Sequence, residues 1–183
     1  HIMSDFYQNT TEIILDGLNN LRVELAKRSI NIEIDAIAEY YIDFDFQQKI
    51  GTEQFLTFGD HYILIELSFF EAPRNLFDII FNLQLEGYKI VLAHPERYSY
   101  YSIDDYKELV NRGVLLQINL LSLIGYYSPK VQEKTEELIR ENMVDFVGTD
   151  CHNITQANLY SQCYTQQSWH TLVQSNRLLN STL

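Results

Sequence analysis

This sequence predicts a parallel β/α protein, and three of its features do so together. Apolar runs of strand length alternate with segments of helical periodicity along the whole chain. Four of those runs stop at a residue able to do chemistry: Ile32–Ala38 at Glu39, Tyr62–Ile65 at Glu66, Lys89–Ala93 at His94 and Asp145–Thr149 at Asp150. No linker-like segment and no internal repeat interrupts the alternation, so one domain over residues 1–183 is expected. A parallel sheet directs the carboxyl ends of all its strands to one rim, where such folds carry their sites.

Taken in order, Asn9 and Glu12 have capping-box spacing, and Ile14, Leu18, Leu21 and Leu25 then mark one face of a helix. The strand Ile32–Glu39 follows, with a short helix over Phe44–Ile50 closed by Gly51. Tyr62–Leu67 is the second strand. After Pro73, Leu76, Ile79, Ile80 and Leu83 recur at helical spacing up to Gly87. Strand Ile90–His94 leads through the segment Tyr98–Tyr101 into a helix over Ile103–Arg112, stopped by Gly113. Val114–Asn119 is a strand. Ser128 and Pro129, as N-cap and first helical residue, open a helix reaching Asn142. Phe146–Asp150 is the fifth strand, and a long helical tail from Ala157 is expected to finish the chain. Strands separated by helices need crossover connections, which favours parallel pairing.

A chain of 183 residues, 46% of them hydrophobic, has room for one sizeable core. No stretch approaches the roughly 20 apolar residues of a membrane span, and no N-terminal signal peptide is legible. Two cysteines, Cys151 and Cys163, do not make a disulfide framework, which points to the reducing cytoplasm. A net charge of −12 argues against nucleic acid as a partner. It leaves small anionic substrates open, since bound cations reverse the local field.

Glu66 closes a run apolar enough to be buried, and a buried carboxylate needs a cationic partner or a shifted pKa. Glu39 poses the same problem. His94 precedes the stiff turn Pro95-Glu96-Arg97, although a core histidine bonded to a carbonyl would look similar. Asp150 and His152 are spaced to serve one ion or two neighbouring ones, although most such pairs merely cap a helix. Cys151 reads as a small buried residue, because no phosphate-cradling loop ending in arginine surrounds it or Cys163. Tyr98, Tyr100, Tyr101, Tyr126 and Tyr127 either line a mouth that accepts an aromatic group or pack loops. Imidazoles and carboxylates converging from several strand ends suit a divalent-metal site. Mn²⁺, Fe and Zn²⁺ all accept such donors, and spacing does not choose among them.

The segments Ile63-Leu64-Ile65-Glu66, Ala93-His94-Pro95-Glu96-Arg97-Tyr98, Gln117-Ile118-Asn119 and Thr149-Asp150-Cys151-His152-Asn153 together resemble the bacterial capsule and exopolysaccharide tyrosine phosphatases. Those belong to the polymerase-and-histidinol-phosphatase (PHP) superfamily of metal-dependent phosphoesterases. The resemblance runs in order over nearly the whole chain. It implies a distorted seven-stranded β/α barrel of TIM-like type, with two or three divalent ions at its carboxyl rim and Mn²⁺ foremost among the candidates, Fe, Zn and Mg remaining open. It implies hydrolysis of phosphotyrosine on a protein such as a bacterial tyrosine kinase of polysaccharide export. By motif position the metal ligands would be His1, Glu39, Glu66, His94, Asp150 and His152. Arg97 would grip the substrate phosphate, with His94 and Asp150 beside it at the catalytic centre. An activated water would then attack phosphorus in line.

Two departures from the pattern stand out. The family opens on a strand carrying His-x-His and an acidic, glycine-containing loop, and nothing here matches them, so an N-terminally incomplete barrel is expected. His1 is then read as the histidine that ends an early strand. Many relatives also carry an arginine shortly after the final histidine, whereas Asn153–Gln162 has no basic residue, so phosphate binding would rest more heavily on Arg97. Alternative readings are a phosphatase of small esters of the histidinol-phosphate type, or a non-catalytic scaffold with a decayed metal site. An oligomer is compatible with either.

Overall fold

The structure is a computed structural model that describes residues 1–183. Five strands, β1 (Glu39–Tyr41), β2 (Tyr62–Glu66), β3 (Lys89–Ala93), β4 (Leu115–Asn119) and β5 (Val144–Gly148), form one sheet. Their order in space is their order in sequence, and every pair is parallel. The sheet is open: it has five strands rather than the seven expected of a closed barrel. The helices are α1 (Thr11–Lys27), α2 (Phe44–Lys49), α3 (Leu76–Leu85), α4 (Ile103–Asn111), α5 (Pro129–Arg140), α6 (Ile154–Ala157), α7 (Tyr160–Cys163) and α8 (Gln167–Gln174).

Both faces of the sheet are covered, which is why its strands read as continuous apolar runs. Ile63, Ile65, Ile90, Leu92, Leu116 and Ile118 point into the large core, where α3 buries Leu76, Ile79, Ile80 and Leu83, and α5 buries Leu138 and Ile139. The alternate residues Leu64, Val91 and Ala93 meet Phe146 in a smaller cluster on the other face. Ser128 caps α5 by accepting from the Val131 amide, and Ser102 forms a complete capping box with Asp105 at α4. Gly113 ends α4 at φ 84°, a left-handed conformation that lets the Val114 amide reach back to the Leu109 carbonyl at 3.1 Å.

The ladder between β4 and β5 is interrupted, because Leu116 pairs with Val144 and Gln117 with Phe146. Asp145 is the extra residue of this bulge. Its Oδ2 accepts from the Leu116 amide at 2.9 Å and its Oδ1 pairs with Arg177 at 2.9 Å. Burial pushes the Asp145 carboxyl up, against the opposing pull of the amide and the guanidinium. The side chain thus satisfies an amide that the bulge strips of its ladder partner, and it ties down the C-terminal segment.

Three expectations are corrected. Residues 32–38 are not a strand: alternation of Ile30, Ile32 and Ile34 with polar residues imitates one, but Ile30 and Ile32 are exposed and no neighbouring strand pairs with the segment. Glu39 therefore begins β1 instead of ending a strand. The helical tail breaks into α6, α7 and α8, whose buried residues are single, Gln156, Cys163 and Leu172, so no continuous apolar stripe holds a longer helix together. Thr10, not Asn9, caps α1, with its hydroxyl accepting from Ile13, while the Asn9 amide donates to the His1 carbonyl.

Asp145→Ala removes one buried acceptor and strands Arg177, and is expected to lower stability by about 2 kcal/mol. Asp145→Asn, which can still accept from Leu116, is expected to lose less. Urea unfolding midpoints of the two variants measure the difference.

Candidate metal centre

The sheet register assembles the site. Glu39 lies opposite Leu64, and Glu66 is two residues beyond Leu64, so both carboxylates leave neighbouring strands toward the smaller face. His94 follows β3 directly and reaches the same point. Its Nε2 lies 3.0 Å from Glu39 Oε1 and 3.3 Å from Glu66 Oε1. These three residues are a group able to share a cation, with ligand atoms all within 4.8 Å of one another. Donors held about 2.1 Å from one ion sit roughly 3.0–3.4 Å apart, so these two separations fit shared coordination of a divalent metal. Oxygen and imidazole nitrogen donors also suit that class of ion.

The other expected residues gather beside this focus. Ile2 makes a parallel bridge to Tyr40, which sets His1 next to Glu39, its Nε2 at 3.5 Å from Oε2. Asp150, beyond the end of β5, meets His152 Nδ1 at 3.4 Å and Arg97 Nη1 at 3.7 Å. The imidazoles of His1 and His152 are 5.6 Å apart, centroid to centroid, and so connect the two halves. Asp150 and His152 thus lie at the rim but outside the tight three-residue group.

Electrostatics explain how two carboxylates share this space. Burial presses the His94 imidazole toward its neutral form, but Glu39 and Glu66 together outweigh that and raise its pKa from the ordinary 6.5 to about 9. Protonated His94 is the cation between them in the metal-free chain. The backbone is strained at the same places: His94 has φ 36° and ψ 54°, immediately before Pro95, and Asp150 has φ 49°.

A supporting layer fixes the rim, and most of it escaped the sequence analysis. The Tyr98 hydroxyl accepts from the Leu67 amide at 3.0 Å and donates to the Ala93 carbonyl at 3.1 Å, joining the ends of β2 and β3. Tyr98 is thus an interior strut, not part of a mouth; Tyr100 and Tyr101 are half-buried against the core. Glu96 is buried and accepts through one oxygen from the Ser122 hydroxyl and the Asn119 amide; burial pushes its carboxyl up against those two bonds. The Asn119 side chain donates to Asp150 Oδ2 at 2.7 Å and to the Tyr127 hydroxyl at 3.2 Å. Asn119 ends β4, and its strand-end position is the signal that marks it. Cys151 is exposed, contrary to expectation, because it lies in the open turn past the rim.

A parallel β/α sheet with a carboxylate–imidazole focus at its rim defines a protein of the metal-binding β/α class. The chain belongs to the capsular polysaccharide synthesis CpsB/CapC family, whose model matches residues 1–166. It is 30% identical over 165 residues to the tyrosine-protein phosphatase YwqE of Bacillus subtilis, covering 88% of this chain and 65% of that protein. The tyrosine-protein phosphatase CpsB of Streptococcus pneumoniae is 26% identical over 171 residues, covering 88% and 70%. Among solved structures, one described under the crystal structures of YwqE from B. subtilis and CpsB from S. pneumoniae as unique metal-dependent tyrosine phosphatases superposes with a TM-score of 0.81. That match has 27% identity and covers 98% of this chain and 77% of the other. The chain therefore spans about two thirds of the length of the curated relatives it matches.

Because the folded pKa of His94 is raised, the stabilisation it brings to the metal-free chain is complete below pH 6.5 and is lost as pH rises through about 9. Thermal unfolding of chelator-treated protein is expected to show a falling midpoint across that window. His94→Gln, without the titrating group, is expected to flatten it.

Proposed function

We propose that this chain is a metal-dependent phosphoric-monoester hydrolase acting on phosphotyrosine. Its substrate would be a protein of polysaccharide synthesis, such as a tyrosine kinase of the export machinery. The observation that carries this reading is the convergence of Glu39, Glu66 and His94 on one point, with Arg97 across the rim. The names of the relatives support the reaction class. We further take residues 1–183 as one domain of PHP type working in the cytoplasm; no helix is long and apolar enough to cross a membrane.

Each residue then has a physical task. Glu39, Glu66 and His94 hold the first ion, and His1, Asp150 and His152 extend the ligand set toward a second. When bound, divalent ions, of which Mn²⁺ is our choice, supply Lewis acidity to water and to the phosphate oxygens. His94 must release its proton as metal enters, which couples metal uptake to pH. Arg97 offers a planar fork of donors to the phosphate. Asn119 orients Asp150 through its short bond, the role that a hydrogen-bonded ligand carboxylate requires.

Three variants, compared for manganese content and aryl-phosphate turnover on the same samples, test the assignment. Arg97→Ala is expected to keep its metal and lose about a hundredfold or more in turnover. Arg97→Lys is expected to recover only part of that, because a point charge cannot reproduce the fork. His94→Ala is expected to lose metal and turnover together. Equal rates on phosphoserine and phosphotyrosine peptides would remove tyrosine from the proposal, and unchanged turnover in Arg97→Ala would remove Arg97 from its role.

A further inference from the structure

Two aromatic rings from separate loops meet on Arg97. Its guanidinium carbon lies 4.5 Å from the ring centroid of Phe69, in the loop between β2 and α3, and 4.8 Å from that of Tyr127, just before α5. Both distances are those of a cation–π contact. Each ring makes a further contact at the site. Phe69 stacks on His94, with centroids 5.7 Å apart and planes inclined by 27°. The Tyr127 hydroxyl accepts from Asn119, whose amide also donates to Asp150.

The contact with Asp150 gives this arrangement a purpose. Arg97 Nη1 stands 3.7 Å from Asp150 Oδ2, beyond the roughly 2.7–2.9 Å of a charge-assisted hydrogen bond. An unrestrained arginine would close that gap and spend its donors on the carboxylate. Contact with two rings would hold the fork short of Asp150 and keep its donors available to an anion. It also removes side-chain freedom before any anion arrives, so less is lost on binding.

We propose that Phe69 and Tyr127 are positioning residues, an aromatic vice that holds the Arg97 guanidinium away from Asp150 and presents it to a phosphate group at the metal centre. The identity of the anion rests on the phosphatase reading above; the vice itself rests on the two cation–π contacts and the 3.7 Å gap to Asp150. Its ring-like character predicts which changes matter. Tyr127→Phe keeps the ring and gives up only the hydroxyl, whereas Tyr127→Leu and Phe69→Leu remove a face of the vice.

Two measurements decide it. In nitrogen-15 spectra of the metal-free chain, the Arg97 Nε–H signal, assigned by its loss in Arg97→Lys, is expected upfield of the other arginines because it lies over aromatic faces. Phe69→Leu and Tyr127→Leu are each expected to move it back toward the exposed arginines, and Tyr127→Phe to leave it in place. In the manganese-loaded chain, inorganic phosphate titrated by calorimetry is expected to bind about tenfold more weakly to either leucine variant, with manganese stoichiometry unchanged. Phe69→Tyr is expected to restore binding, and Phe69→Leu is expected to add nothing in an Arg97→Ala background. An unshifted Arg97 signal in the parent chain overturns the vice even if the chain hydrolyses aryl phosphates. So does an equal loss of phosphate binding with Arg97 already removed. A parent chain that binds metal but no phosphate refutes the phosphatase reading instead, and the spectra still decide whether the rings hold Arg97.

Discussion

Glu39 and Glu66 leave neighbouring strands toward one partly enclosed space, and at that spacing two carboxylates repel unless a positive charge stands between them. The repulsion is strong because water screens it poorly there. Protonated His94 answers it in the metal-free chain, with its Nε2 at 3.0 Å and 3.3 Å from the two acids. The same three atoms are spaced to share an ion, so proton and metal compete for one position. The fold does not tolerate this cluster as an isolated oddity; the rim is organised around keeping it in place.

That organisation consists mostly of hydrogen bonds from side chains to the ends of strands. Tyr98 joins the ends of β2 and β3 through one hydroxyl, and Glu96 takes the Asn119 amide that emerges at the end of β4. Asn119 then reaches Asp150 past β5. Four strand ends are thereby linked in sequence across the sheet. Within β5, Asp145 repairs the bulge and holds the C-terminal segment through Arg177. Tyr98, Glu96, Asn119 and Asp145 are buried, and each has at least one hydrogen-bond partner, as burial demands.

Much of this was legible in the sequence because parallel strands buried on both faces are written as short apolar runs. The ends of β2 and β3, and with them Glu66 and His94, follow from that pattern alone. The capped start of α5 at Ser128 and Pro129 is equally local. The failures were non-local. Residues 32–38 read as a strand, but a strand needs a neighbour, and pairing begins only at Glu39. Thr10 displaced Asn9 as a cap because Asn9 is drawn to the His1 carbonyl, a contact made by the fold. Phe69 and Tyr127 carry no motif at all; they matter because two loops bring them to one arginine. Asn119 stood at a strand end like the acids, yet an amide is a weaker advertisement of a site than a charge.

The left-handed backbone at His94 and Asp150 has an evolutionary reading. Glycine adopts such angles without penalty and asparagine with little, whereas histidine before a proline does so only when its surroundings compel it. Selection of this chain for heat resistance alone would therefore favour glycine at residue 150, whereas at residue 94 the charge that the imidazole places between Glu39 and Glu66 offsets the strain of the turn. Lineages that keep aspartate at residue 150 would be recording continued demand on the site, because the turn itself would be more relaxed without it.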